Sequence, residues 1–163
     1  MKQFLPLTLC CLIFAGCSSS NSPTTESIDG GTPSELIGIW ELACSGEESS
    51  GYQIQTLDFT DTRLTYTSQR YIDDNCLTED VDNPGSSSSG AVTFGDNITT
   101  TNGVEAREFD HLNDTFNSEP LDPIVISYNI YLIQGGVLYI GGGSAVEADS
   151  PDTLNFDSGY LKQ

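Results

Sequence analysis

The sequence predicts an all-β domain, an antiparallel barrel or sandwich of about eight strands. Three observations carry this expectation. Short runs rich in Val, Ile, Thr, Tyr and Phe recur from Ile39 to Leu161, the composition of strands. Gly, Asn, Asp and Ser clusters punctuate them at turn-like intervals. Helical periodicity is nearly absent, so no crossover helices exist to join parallel strands.

The elements follow in order. Thr32-Pro33-Ser34-Glu35 reads as a short helix start: Thr32 can cap, Pro33 suits the first turn, and Glu35 stands three residues after Thr32. Gly38 ends it at once. Residues 39–44, 52–59 and 63–71 are the first three strands, with Thr60-Asp61-Thr62 turning the second into the third. Residues 72–89 (IDDNCLTEDVDNPGSSSS) form a long acidic and serine-rich loop pinned by Cys76. Residues 91–94 and 98–101 are short strands around Gly95-Asp96-Asn97, and 104–112 is a longer one. Residues 113–122 are a polar loop. Residues 124–133 (IVISYNIYLI) are the most apolar run, a central strand with two fairly apolar faces. Gln134-Gly135-Gly136 turns this run into 137–140, a hairpin signal. Gly141-Gly142-Gly143 lacks the lysine and the helix of a phosphate loop and reads as a flexible corner. Residues 153–161 close the sequence as a final strand.

The amino terminus has a different logic. Met1-Lys2-Gln3 is a short basic start, and residues 4–15 are apolar apart from Pro6 and Thr8. That run has the length of a secretory signal's apolar core and is too short to span a bilayer. It is apolar on every face, unlike an amphipathic core helix. Residues 1–16 are therefore expected to be a signal peptide. The stretch SSSNSPTTESIDGG, residues 18–31, holds one aliphatic residue, Ile28. It cannot bury enough apolar surface to fold, so 17–33 is expected to be a disordered tether and 34–163 the domain.

Loss of residues 1–16 removes Lys2 and no acid. Arg63, Arg70, Arg107 and Lys162 then face 24 acidic residues, a net charge of about −20. Nucleic acid is excluded as a partner, because phosphate binding needs clustered Lys and Arg. Bare adsorption to anionic lipid heads is disfavoured for the same reason. The charge reads as a solvated surface, with cation binding as the alternative. Asp73, Asp74, Asn75, Glu79, Asp80, Asp82 and Asn83 offer hard oxygen ligands of the kind calcium takes. Their spacing lacks the glycine and the terminal Glu of an EF-hand loop, so no metal site is assigned.

Of the five cysteines, Cys10 and Cys11 fall within the signal. Cys44 and Cys76 are an even pair in an exported, oxidising setting, and a disulfide is expected between them. It would close a loop of about 30 residues and contribute roughly 3–4 kcal/mol in the chain-entropy model. Free thiols or a metal pair are the alternatives; no CxxC spacing and no second histidine supports a metal.

Catalytic chemistry finds little support. The only histidine, His111, follows Asp110. Catalysis would need a nucleophile and an orienting group beside it, and a strand histidine is more often a packing or surface residue. No G-x-S-x-G, H-E-x-x-H or G-x-G-x-x-G pattern occurs. Among 24 acids, carboxylate pairs arise by chance and define no glycosidase dyad. Neither an enzyme activity nor a cofactor is expected.

Two resemblances extend this reading. Phe14-Ala15-Gly16-Cys17 resembles the lipobox of bacterial lipoproteins, with Phe14 where the family usually has Leu. The resemblance implies that Cys17 opens the mature chain and carries a thioether-linked diacylglycerol and an acylated amino group. Several acyl chains at roughly 0.8 kcal/mol per buried methylene make a firm anchor. Ser18 stands where an aspartate would signal inner-membrane retention. The implied address is the outer membrane, with the domain in the periplasm or at the cell surface.

Gly38-Ile39-Trp40 resembles the G-x-W signature of lipocalins and wider calycins, whose Trp closes one end of a barrel. A set of small bacterial lipoproteins is similar over about residues 36–162. They share G-x-W-x-x-x-C (Gly38, Trp40, Cys44) and an aromatic-acidic-Cys stretch (Tyr71-Ile72-Asp73-Asp74-Asn75-Cys76). They also share L-Y-x-G (Leu138, Tyr139, Gly141) and a close of Pro151, Leu154, Phe156, Tyr160 and Lys162. The resemblance implies an up-and-down barrel of about eight strands. In lipocalins a late basic residue packs over the Trp, and here Arg107 and Lys162 are the two candidates. The resemblance implies a fold and an address more than an activity; the function expected from such a barrel is binding of a small apolar or amphipathic ligand or lipid at the membrane. The alternative is a solid barrel that contacts another envelope protein, with calcium in its acidic loops.

Overall fold

The computed structural model describes residues 31–163. The signal peptide, Cys17 and the tether as far as residue 30 lie outside the described residues. Eight strands follow one another: β1 (Gly38–Glu47), β2 (Gly51–Phe59), β3 (Arg63–Tyr71), β4 (Gly85–Thr99), β5 (Glu105–Phe116), β6 (Glu119–Gln134), β7 (Val137–Ile140) and β8 (Gly159–Lys162). Each pairs antiparallel with the next, and β8 returns to β1 to close an up-and-down barrel.

The closure is uneven. β8 meets β1 only at Trp40–Lys162 and Glu41–Leu161. β7 pairs with β6 only over residues 131–134. The wall is therefore continuous around Trp40. Farther up, residues 42–47 of β1 and 119–127 of β6 have no strand partner on their second edge. The end holding Trp40 is the closed end, and the other is open.

Several elements differ from the sequence expectation. The serine tract is strand, not loop: Ser86 to Ser89 pair with residues 65–68 of β3. Serine's weak strand preference yields here to tertiary pairing. Residues 91–94 and 98–99 belong to the single strand β4, with a register shift between Phe94 and Asn97, and residues 100 and 101 lie past its end. The polar loop 113–122 is a hairpin. Asn117 and Ser118, at φ 48° and 67°, form its two-residue turn, and left-handed conformations at both positions match the twist of the flanking strands. The final strand covers only Gly159–Lys162.

Residues 141–144 instead follow the edge of β6, where Gly141 N–H donates to Ile130 O and Tyr128 and Ser144 exchange backbone hydrogen bonds. Farther on, Leu154 is buried with Ala106 and Ile130 on the outer side of the sheet. Gly141 is a packed corner rather than a flexible one, since a Cβ there would stand 2.8 Å from Ile130 and Pro151 carbons. The expected helix is a single turn closed by Leu36 N–H to Pro33 O at 2.9 Å. The Thr32 hydroxyl has no hydrogen-bond partner, so it does not cap. Its N–H donates to Asp61 O at 2.7 Å and holds the chain against the β2–β3 turn.

Inside, strand alternation fills the closed end with Trp40, Leu57, Phe59, Leu64, Phe109 and Leu138, all buried. Phe59, Phe94 and Tyr131 surround the Phe109 ring at centroid distances of 6.2, 6.2 and 5.9 Å. Cys44 and Cys76 form the expected disulfide, Cα–Cα 5.8 Å, which ties loop 72–84 to the upper part of β1.

Candidate functional site: a polar cavity in the open half of the barrel

The inward face changes character along each strand. On β5 it runs Phe109, His111, Asn113 away from the closed end. On β6 it runs Tyr131, Asn129, Ser127, and on β3 it runs Leu64, Tyr66, Ser68. A period of two keeps these residues on one face. The closed half is thus apolar and the open half polar, and the polar half is not filled. A cavity of about 380 Å³ lies there, with Tyr66, Ser88, His111, Asn113, Ser127 and Asn129 in its wall. Leu57, Leu64, Phe109 and Ile140 form its apolar base. A second recess shares Tyr66, Ser88, Asn113 and Ser127 and adds Phe116, Leu121 and Val125 at the mouth. Among the described residues no Asp, Glu, Lys or Arg lines either space.

The small residues of β4 make this room. Gly90 lies so close to β5 that a Cβ would fall 1.8 Å from the Leu112 carbonyl oxygen. Ser88 replaces bulk with one hydroxyl. Deeper in, Tyr160 donates to Gln55 Oε1 at 2.7 Å. Burial, with Tyr66 adding to it, pushes the Tyr160 phenol up to about 12. Ser68 likewise donates to Gln53 Oε1 at 2.7 Å.

His111 is 5% exposed, and its Nε2 has no hydrogen-bond partner. Burial pushes its pKa below the ordinary histidine value; the Leu64 carbonyl and Asp114 oppose this, while Arg63 reinforces it. The ring is neutral at pH 7. Asn113 Nδ2 donates to the carbonyls of His111 (3.2 Å) and Val125 (3.1 Å), and Asn129 Nδ2 to that of Ser127 (2.9 Å). Both amide oxygens remain as acceptors.

Asp110 does not pair with His111, because neighbours on a strand point to opposite faces. Its pKa is raised by burial and then by Glu108 and Glu147 on the outer side. The acidic loop is self-satisfied. The Asp73 carboxylate accepts from the N–H groups of Asn75, Leu77 and Thr78 at 3.2, 3.1 and 2.7 Å, and these bonds lower its pKa. Asp80 accepts from Asp82 and Asn83. Among the described residues no group of three or more His, Cys, Asp or Glu is placed to hold a metal ion.

Gly38 and Trp40 sit at the closed end, away from the cavity. Trp40 donates to Leu36 O at 2.7 Å. Of the two basic candidates, Lys162 covers it, with Nζ 5.1 Å from the ring centroid. Arg107 instead lies over Phe94 and donates to Gly95 O.

The sequence reading missed Asn113, Ser127, Asn129 and Ser88. A signal existed for two of them. In IVISYNIYLI, Ser127 and Asn129 share one face, opposite Ile126, Tyr128 and Ile130. The face of Ser127 and Asn129 also carries Val125, Tyr131 and Ile133, so both faces are fairly apolar and only the middle of the inward one is polar.

Fold and site together define a small closed up-and-down β-barrel with an uncharged polar pocket toward its open end. No family model matches the chain, and no curated protein or solved structure matches it either.

Proposed function

We propose that this protein is an envelope lipoprotein, anchored through lipid on Cys17, whose barrel holds a small amphipathic molecule. The carrying observation is the cavity of about 380 Å³, which falls in the roughly 300–1,000 Å³ range of small-molecule sites. An eight-stranded barrel either fills with its own side chains or leaves room for one small ligand. This one leaves room. The apolar mouth at Phe116, Leu121 and Val125 over a polar wall suits a molecule with both characters. The disulfide supports an oxidising compartment. Trp40 under Lys162 at the closed end supports kinship with lipocalin-like lipoproteins. The role is binding rather than catalysis, with no cofactor and no nucleic-acid partner.

Native mass spectrometry of the full chain, purified from its own membranes in mild detergent, tests this. A small molecule released on unfolding is the expected result. A barrel that arrives empty and excludes every small probe overturns it. The anchor is tested separately: a palmitate label should be lost in Cys17→Ala. A second reading, docking on another envelope protein, is favoured by the exposed Phe116, Ile124, Val125 and Ile126. In-cell crosslinking from these positions would recover one partner reproducibly.

A further inference from the structure

The chain has 24 acidic residues, yet among the described residues no acidic and no basic side chain lines the cavity. A charged ligand would leave water without a counter-charge, which is costly. What the wall offers instead is uncharged polar groups: the hydroxyls of Tyr66, Ser88 and Ser127, and acceptors on His111, Asn113 and Asn129. His111 lines the cavity, is 5% exposed, and its Nε2 has no partner. With no partner on Nε2, a neutral ring that carries its proton on Nδ1 leaves Nε2 as a bare acceptor. Asn113 and Asn129 commit their N–H groups to backbone carbonyls. Their Oδ1 atoms receive no hydrogen bond from the described residues. A buried nitrogen such as His111 Nε2 is normally satisfied, so a partner is missing there.

We propose that the cavity selects an uncharged small molecule that donates hydrogen bonds, a hydroxyl or amide N–H compound, with His111 Nε2 as its principal acceptor. This rests on the ligand-binding reading of the barrel. The donating head lies inward among His111, Asn113 and Asn129, and the apolar part points to Phe116, Leu121 and Val125 at the mouth. An anion would meet no basic residue among the described residues of the wall and would lie under the repulsion of the acidic surface. A fatty-acid carboxylate is therefore the wrong ligand, although an apolar barrel would suggest one.

The test uses four probes of one skeleton: benzyl alcohol, toluene, benzoate and benzylammonium. His111 is the only histidine, so the imidazole ¹⁵N signals of the full chain need no assignment. They should show an unprotonated Nε2 at pH 7 that shifts on adding benzyl alcohol. Benzyl alcohol should bind about fivefold more tightly than toluene, as one net hydrogen bond allows, and more tightly than either ion. His111→Phe should bring benzyl alcohol to within about twofold of toluene, and Asn129→Leu should reduce the preference partway if His111→Phe fails to fold. A proton on Nε2, toluene equal to benzyl alcohol, or either ion binding as well, overturns the proposal and leaves a less selective binding barrel. If none of the four enters, the ligand-binding reading falls with it.

Discussion

The side chain of Lys162 crosses Gly38 so closely that a Cβ at Gly38 would lie 3.1 Å from Lys162 Cε. Gly38 also has φ +122°, which L side chains rarely adopt. The glycine thus does two things: it lets β1 begin in a strained conformation, and it lets Lys162 pass over to Trp40. The ammonium then donates to Glu35 O at 3.1 Å. The turn before β1, the Trp and the last strand are clamped at one point. Gly38→Ala should destabilise the fold by about 1–3 kcal/mol, measured by urea unfolding. Lys162→Ala should cost about 0.5–1 kcal/mol, the scale of an exposed cation–π contact. In the double mutant the two costs should sum to more than the measured loss, because the displaced Lys162 side chain no longer counts twice. Strict additivity would separate the two residues.

The disulfide joins loop 72–84 to the upper part of β1, where β1 lacks a second strand partner. The bridge supplies a tie that hydrogen bonding does not. Cys44→Ser with Cys76→Ser should lower stability by roughly 3–4 kcal/mol on loop-closure grounds. Thiol labelling of the denatured, unreduced chain should mark neither Cys44 nor Cys76. Labelling of both would contradict the bridge.

The acidic loop should not distinguish calcium from sodium. Its carboxylates at Asp73 and Asp80 already accept backbone N–H bonds, and the surplus charge is surface charge that any salt screens. Millimolar calcium should raise the melting temperature no more than sodium at equal ionic strength. A larger calcium shift would show specific binding.

Fold class was legible because it depends on alternation and turns, which are local. Residues 63–71 were placed to the residue for that reason. The Ser86 to Ser89 strand was not, because its pairing is set by β3 across the barrel and not by its own composition. The hairpin at Asn117-Ser118 was hidden by its polarity, though Asn at a left-handed position is an ordinary turn device. The Cys44–Cys76 bridge followed once Cys10 and Cys11 were set aside with the expected signal and Cys17 with the lipobox resemblance. The cavity was not legible as a cavity, since volume is what side chains leave over after packing. Which basic residue covers Trp40 depended on the return of β8 to β1, a contact between the two ends of the barrel.

His111 gives the last prediction. Burial holds its pKa below the ordinary value of 6.5. The folded state therefore binds a proton less readily than the unfolded chain. Below pH 6.5 the unfolded chain gains a proton that the barrel resists, so stability falls as pH drops from 6.5 toward the folded pKa and is unaffected by this group above it. The limiting slope for one such group is about 1.4 kcal/mol per pH unit. Other acids titrate nearby, so the measurement is a difference: chemical unfolding of the parent and of His111→Gln from pH 7 to pH 5. The parent should lose stability more steeply than the variant over that window, and the ring should titrate below 6.5 by ¹⁵N NMR. Parallel curves, or a ring half protonated at or above pH 6.5, would mean that His111 is not held away from solvent as its burial implies.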